Sequence, residues 1–183
     1  MQLTVNDYRV ETSARHVHLS QADFVKLFGE DAKMEVVKPL TVSGEFKSNY
    51  AVTILGPKRN LERVSVLGPF RAQTQVEISL TDSFALGVKN VPVRMSGDLH
   101  GSAPVTLVGT VGRLELSEGM IIALRHLHIN RADMQRFGLV DGQEISIDVG
   151  DAHKVTFHNV VVRESNVEFP TVHLDTDEAN AVH

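Results

Sequence analysis

Arg15-His16-Val17-His18-Leu19 is followed by Ala22-Asp23 and Phe28-Gly29, and the same order returns as Arg125-His126-Leu127-His128-Ile129, Ala132-Asp133 and Phe137-Gly138. His16 and His126 are 110 positions apart (126 against 16), far more than the roughly 20 to 50 residues of a solenoid unit and close to a small domain. A second echo lies downstream of each copy: Val76-Glu77-Ile78 leads to Thr81-Asp82, and Val172-His173-Leu174 leads to Thr176-Asp177. The chain therefore reads as two related halves, residues 1–95 and 96–183, divided between Pro92 and Pro104.

Short runs rich in Val, Ile and Thr recur between Gly, Pro and Asp punctuation, which is the pattern of strands joined by turns. Val52-Leu55, Val64-Leu67, Val76-Leu80, Val105-Val108, Glu144-Val149 and Val160-Val162 are the clearest. Two short helices interrupt them. Ser20 with Asp23 forms an N-cap signature for a helix that runs to Phe28 and stops at Gly29, and Asn130 opens an equivalent helix ending at Phe137-Gly138. The expected fold is mainly β: two tandem duplicated β-barrel domains with short helices, each barrel free to borrow a strand or helix from the other half.

The bulk composition narrows the function. With 183 residues and 42% apolar content, the chain can bury a substantial core. Its net charge of -5 is spread over mixed acidic and basic residues, so no basic stripe exists to follow a phosphate backbone and nucleic acid is not an expected partner. There are 0 cysteines, which removes disulfides, thiolate zinc sites and any covalent cysteine thioester. No apolar run reaches the roughly 20 residues that span a bilayer. Met1-Gln2-Leu3-Thr4-Val5-Asn6 lacks the basic start and apolar stretch of a signal peptide. The expectation is a cytoplasmic protein without a membrane partner, with a homo-oligomer left open.

In a strand, residues two apart project to the same side, so His16 and His18 point together, as do His126 and His128. Catalytic zinc is commonly held by three protein ligands with one position open. The downstream echo supplies the third in each half, Glu77 in one and His173 in the other. The candidate metal sets are His16, His18, Glu77 and His126, His128, His173. His100, His153, His158 and His183 share no such arrangement and are read as surface or structural.

Three groups of basic residues follow. Arg15 and Arg125 precede the histidine pairs and would face away from them, so a salt bridge and a catalytic role both stand open. Gly68-Pro69-Phe70-Arg71 forms a turn just before Glu77; Arg71 is either an exposed turn residue or a guanidinium aimed at an oxyanion, for which its planar fork is suited. Gly56-Pro57-Lys58-Arg59 is a basic hairpin tip, either solvated or meeting the phosphates of a cofactor. Neither GxxxxGK[ST] nor a helix-opening GxGxxG is present.

Assembled, these motifs resemble the PduL-type phosphotransacylases, or phosphate propanoyltransferases. The resemblance runs through Ser13-Ala14-Arg15-His16-Val17-His18-Leu19-Ser20, Leu67-Gly68-Pro69-Phe70-Arg71, Thr74-Gln75-Val76-Glu77-Ile78-Ser79, Arg94-Met95-Ser96-Gly97-Asp98, Ala123-Leu124-Arg125-His126-Leu127-His128 and His173-Leu174-Asp175-Thr176-Asp177-Glu178-Ala179-Asn180. It implies tandem barrels with two zinc ions in a dinuclear site between them, and coenzyme A alongside. It further implies that Arg71 contacts phosphate and that Asn180 belongs to a closing motif near the second metal; Asn180 joins Lys58 and Arg59 of the basic turn as the cofactor-binding candidates. The implied reaction is an exchange between a short-chain acyl-CoA (acetyl or propanoyl) plus phosphate and acyl phosphate plus CoA.

Two stretches depart from the family pattern: Phe46-Lys47-Ser48-Asn49-Tyr50 lacks its acidic residues, and Gly109-Thr110 replaces the usual Gly-Pro. With the ligand motif beginning at Arg15, the N-terminal extension that carries some relatives into bacterial microcompartments is not expected. The rival readings are a dinuclear zinc hydrolase, which would use water in place of phosphate, and a non-catalytic module tied together by zinc.

Overall fold

The structure is a computed structural model, which describes residues 3, 4 and 7–182; His183 and most of the Met1–Asn6 segment read above lie outside those residues. The chain order is β1 (Arg9–Ser13), β2 (His16–His18), α1 (Gln21–Phe28), β3 (Val36–Pro39), β4 (Phe46–Leu55), β5 (Leu61–Gly68), β6 (Gln75–Ile78), α2 (Leu80–Leu86), β7 (Val93–Arg94), β8 (Ala103–Val108), β9 (Arg113–Ala123), β10 (His126–Ile129), α3 (Arg131–Phe137), β11 (Glu144–Val149), β12 (Val155–Glu164), β13 (Thr171–Asp175) and α4 (Thr176–Asn180). Among these, no helix is long and apolar enough to cross a membrane.

Two compact units form. One comprises residues 15–40 and 44–123, the other residues up to 14, 41–43 and 124 onward. The first unit is a closed barrel: β4 pairs β5, β5 pairs β2, β2 pairs β6, β6 pairs β9, β9 pairs β8, and β8 returns to β4. Closure leaves these six strands without a free edge. Strand β3 extends β4 at its Phe46–Ser48 end, while β8 takes the other end at Thr53–Leu55, so the ten residues of β4 serve three partners. The second unit holds a five-stranded sheet in the order β1-β13-β10-β12-β11. The chain is thus mainly β, with one closed barrel, a second sheet and short helices.

The compact units do not coincide with residues 1–95 and 96–183. The reason is where two strands find partners. β1 leads directly into β2 yet pairs with β13, and β9 leads directly into β10 yet pairs with β6. In register terms Val10 faces Val172 as Met120 faces Val76; Val10 and Met120 are 110 positions apart (120 against 10), the spacing of the His-x-His pairs, while Val76 and Val172 are 96 apart (172 against 76). The strand preceding each His-x-His therefore belongs to the unit that lacks that pair.

Each unit encloses its own apolar core. In the barrel unit Val17, Leu19, Phe24, Leu27, Ile54, Val66, Val76, Leu107 and Met120 are among the buried residues. In the other, Leu127, Ile129, Val160, Val162, Val172 and Leu174 take that part. A fully buried side chain of this kind stabilises by about 1.5–3 kcal/mol, which is the force that holds the ligand-bearing strands in place.

Helix α1 forms as its sequence suggests. Ser20 is extended, its hydroxyl accepts from the Asp23 N–H, and Phe24, Leu27 and Phe28 bury one face at i, i+3 and i+4 spacing. Gly29, at φ 94, ends it. Helix α3 repeats the design with Asn130 capping, Met134 and Phe137 buried, and Gly138 at φ 68. Helices α2 and α4 were not signalled by apolar periodicity, being only 7 and 5 residues long. Leu80, expected to close a strand, instead opens α2 behind a Ser79 cap.

Candidate metal centres and basic cavity

Strand β2 is three residues long and fully buried, squeezed between β5 on one side and β6 on the other. Val17 points into the barrel core at 0% exposure, so alternation sends His16 and His18 together to the opposite face. On the antiparallel neighbour, Glu77 lies opposite His16. His16 Nε2 and Glu77 Oε2 are 3.5 Å apart, and the donor atoms of His16, His18 and Glu77 all lie within 4.8 Å of one another.

The second cluster repeats this ladder. Leu127 is buried between His126 and His128 on β10, and His173 of β13 lies opposite His126. The donor atoms of His126, His128 and His173 again lie within 4.8 Å of one another. His126 Nδ1 meets the Leu124 carbonyl at 2.8 Å and His128 Nδ1 meets the Ser165 hydroxyl at 2.6 Å, so the two Nε2 atoms converge at 3.0 Å. Outer-shell partners on one ring nitrogen that leave the other facing inward are the arrangement a divalent cation requires of histidine. The donor sets, two imidazoles with a carboxylate and three imidazoles, fit zinc in its catalytic form.

Glu77 is buried beside its partners. Burial pushes its carboxyl up, but the opposite charge and hydrogen bond of His16, the charge of His18 and a Ser96 hydrogen bond hold it well below the usual carboxylate range. Its side chain is further fixed by the Gln75 amide, which donates to Glu77 Oε1 and, at 2.9 Å, to Ser96 Oγ. The amide oxygen of Gln75 is in turn held by the Gly97 N–H at 2.7 Å.

Arg71 enters the same network. Its Nη1 donates to Ser96 Oγ at 2.9 Å and its Nη2 to Glu45 Oε1 at 3.1 Å. The turn that carries it is anchored twice: the Arg71 N–H donates to the Leu19 carbonyl at 3.0 Å, and the Phe70 ring packs on Phe24 of α1 with centroids 5.1 Å apart. Tyr50 completes the aromatic cluster, 4.8 Å from Phe24 and 4.4 Å from Phe28. Gly68 stands where a Cβ would meet the Phe46 ring at 2.3 Å, so the approach to this turn admits no larger residue without displacing Phe46. Arg71 is thus linked through Ser96 and Gln75 to Glu77. Neither Ser96 nor Gln75 was singled out from sequence, where both are ordinary polar residues in turns and strands.

Arg15 and Arg125 take the salt-bridge alternative, and in matching ways. Arg15 pairs with Asp82 at 2.5 Å and Arg125 with Glu178 at 2.5 Å. Asp82 and Glu178 are each the N3 residue of a capping box, opened by Ser79 in α2 and by Asp175 in α4. The structural equivalence therefore sets Asp82 against Glu178, one residue on from the Thr-Asp echo read in sequence.

The other candidates are dispersed. Lys58 and Arg59 are exposed at the β4–β5 turn, where the Lys58 N–H donates to the Leu86 carbonyl at 2.9 Å. Arg59, but not Lys58, lines a cavity of about 830 Å³ together with Arg15, Lys47, Arg63 and Glu62. Ser65, the register partner of His16, also lines it, so this basic cavity adjoins the strand pair that carries the first cluster. Asn180 is exposed at the end of α4, which follows directly from the His173 strand. His100, His153 and His158 are exposed, and His158 Nδ1 contacts Ser146 Oγ at 2.8 Å.

A family model described as phosphate propanoyltransferase matches residues 9–183. This chain belongs to the phosphate propanoyltransferase family. A curated phosphate propanoyltransferase of Lachnoclostridium phytofermentans is 44% identical over 173 residues, covering 94% of this chain and 80% of the relative. One from Thermotoga maritima is 44% identical, covering 94% of this chain and 82% of its own length, and one from Clostridioides difficile is 42% identical with the same two shares. Phosphate propanoyltransferases are acyltransferases.

Proposed function

We propose that this acyltransferase moves a short acyl group, acetyl or propanoyl, between coenzyme A and inorganic phosphate at a dinuclear zinc centre. One ion would be held by His16, His18 and Glu77, the other by His126, His128 and His173. What supports the reading is the repeated ladder: in both units the first histidine of the pair faces the third donor across an antiparallel register. Two donor sets of that geometry in a family named for phosphate-dependent acyl transfer point to metal-assisted chemistry on both substrates.

The reaction balances simply. A phosphate oxygen attacks the thioester carbonyl, a C–O bond forms as the C–S bond breaks, and the proton lost by phosphate goes to the departing CoA sulfur. No covalent acyl-enzyme is required, in keeping with the absence of cysteine. Bound zinc supplies Lewis acidity, which stabilises a thiolate leaving group and polarises oxygen ligands.

The chain's own residues do the rest. Arg71 turns from Glu45 to phosphate, with Ser96 keeping one side of the guanidinium in place. Two anionic reactants repel each other, so holding them in reacting geometry is a large part of the rate. Arg59, with Lys47 and Arg63 in the basic cavity, would take the phosphates of CoA, with Lys58 at the same turn and Asn180 contributing from the end of α4. We place the reaction in the cytoplasm.

The test is CoA release from acetyl-CoA and from propanoyl-CoA, with and without phosphate. Release that depends on phosphate and stops after metal is stripped by chelator is expected. Release at full rate without phosphate would identify a hydrolase instead.

A further inference from the structure

The two donor ladders differ in one respect that the donor sets alone do not reveal. Across β2, β6 and β9 the row of facing residues reads His16, Glu77, Ile121. Across β10, β13 and β1 it reads His126, His173, Glu11. The carboxylate has moved one strand outward: where the barrel unit has a carboxylate inside the triad and an apolar neighbour, the other has an imidazole inside the triad and a carboxylate beside it.

Glu11 is placed to act on that imidazole. Its Oε2 lies 3.5 Å from His173 Nε2, the same separation as between Glu77 Oε2 and His16 Nε2. Its other oxygen is held by the Thr41 hydroxyl, which donates to Oε1 at 2.6 Å. Thr41 belongs to the short segment 41–43 that joins this unit although the residues on both sides of it belong to the barrel unit. The Ser43 N–H fixes the segment by donating to the Asn166 carbonyl at 3.0 Å. The chain thus makes an excursion that ends on the Glu11 carboxylate.

We propose that Glu11, oriented by Thr41, is a positioning residue for the His126–His128–His173 cluster, acting through His173 on the cation held there. Three neutral imidazoles leave a divalent ion with its full charge, whereas two imidazoles and a carboxylate reduce it by one. Glu11 supplies the missing negative charge and fixes the ring of His173, so the two clusters hold their ions with similar strength. With Glu11 on Nε2, His173 would offer Nδ1 to the cation, and carboxylates that hold the non-liganding nitrogen of such a histidine commonly strengthen metal binding by about 10- to 100-fold. The inference rests on the proposed metal sites, but not on the acyl-transfer reaction.

The measurement is zinc binding to the full-length chain in competition with a chromophoric chelator, using zinc alone. The parent and a His16→Ala/His18→Ala form, in which only the three-histidine cluster remains, are compared with and without Glu11→Gln, Glu11→Ala, Glu11→Asp and Thr41→Val. In the single-cluster form, Glu11→Gln and Glu11→Ala are expected to weaken zinc binding about 10- to 100-fold. Thr41→Val should weaken it less, and Glu11→Asp should restore part of the loss. The cobalt-substituted protein should show altered visible bands for this cluster and unaltered ones for the His16 cluster. Equal zinc affinity and unchanged cobalt bands in Glu11→Gln and Thr41→Val would overturn the role of Glu11. Absence of zinc from the parent altogether would instead overturn the metal sites, and so separates the two failures.

Discussion

Glu77 stands directly opposite His16 across the β2–β6 ladder, with Oε2 3.5 Å from Nε2, and it is buried with no solvent to compensate its charge. A carboxylate so placed is costly unless positive charge faces it. His16 and His18 provide that charge when protonated, and a cation would provide it in their place. Glu77→Gln should therefore bind one zinc fewer per chain than the parent while keeping the melting behaviour of the metal-free protein. Metal analysis after dialysis reads this directly, and an unchanged zinc content would remove Glu77 from the site.

Arg71 is held by Glu45 and Ser96 at 3.1 and 2.9 Å, and in the proposed reaction phosphate would draw it from Glu45. A hydrogen bond to a charged group contributes about 1.5–3 kcal/mol, so Arg71→Ala should raise the KM for phosphate by about 10- to 100-fold and leave the KM for acyl-CoA within about twofold. Arg71→Lys should recover little, because the forked donor geometry is lost. Equal effects on both substrates would contradict the assignment.

The Phe70 ring couples this arginine to the barrel core through Phe24. Phe24 is 2% exposed, so Phe24→Ala should cost about 3–5 kcal/mol of unfolding free energy. Phe70 is 37% exposed, and Phe70→Ala should cost only about 0.5–1.5 kcal/mol, the scale of one aromatic pair, yet raise the phosphate KM by loosening the turn. Denaturant titration with parallel kinetics separates the two. A Phe70→Ala variant with normal phosphate kinetics would show that the turn needs no such anchor.

The grouping of the candidate donors was legible because its logic is local. Alternation along a strand aligned His16 with His18 and His126 with His128, and the Ser20 and Asn130 caps marked two helices without tertiary information. The strand partners were not legible. That β1 joins β13 while β9 joins β6 is a choice between two equivalent ladders of the same ancestral pattern, and nothing in either strand's own sequence selects one. The short helices α2 and α4 escaped because their caps, Ser79 and Asp175, follow a strand immediately and leave no apolar stripe to read. The Thr81-Asp82 and Thr176-Asp177 echo was real as spelling but one residue out as structure, since the acid that each arginine grips is the N3 capping-box residue, Asp82 or Glu178.

Asp23 ties α1 to the start of β6 through Thr74, whose hydroxyl donates to Asp23 Oδ2 at 2.7 Å. Burial raises its carboxyl, but hydrogen bonds from Thr74, Lys26 and Ser20 outweigh that and lower it below 3.8. A carboxyl depressed on folding adds stability at pH above its unfolded value, and that contribution is lost as the pH falls through the folded value. Asp23→Asn should therefore flatten the loss of stability on acidification below about pH 5. Urea midpoints measured at intervals down to pH 3 check this, and an acid limb as steep as the parent's would refute it.

The most direct measurement is a crystal of the zinc-loaded protein with anomalous diffraction recorded above and below the zinc edge. Two peaks are predicted, one within about 2.0–2.2 Å of donor atoms of His16, His18 and Glu77, the other equally near His126, His128 and His173. A zinc-loaded protein whose anomalous map is empty at both triads, with its zinc bound elsewhere, would contradict the account.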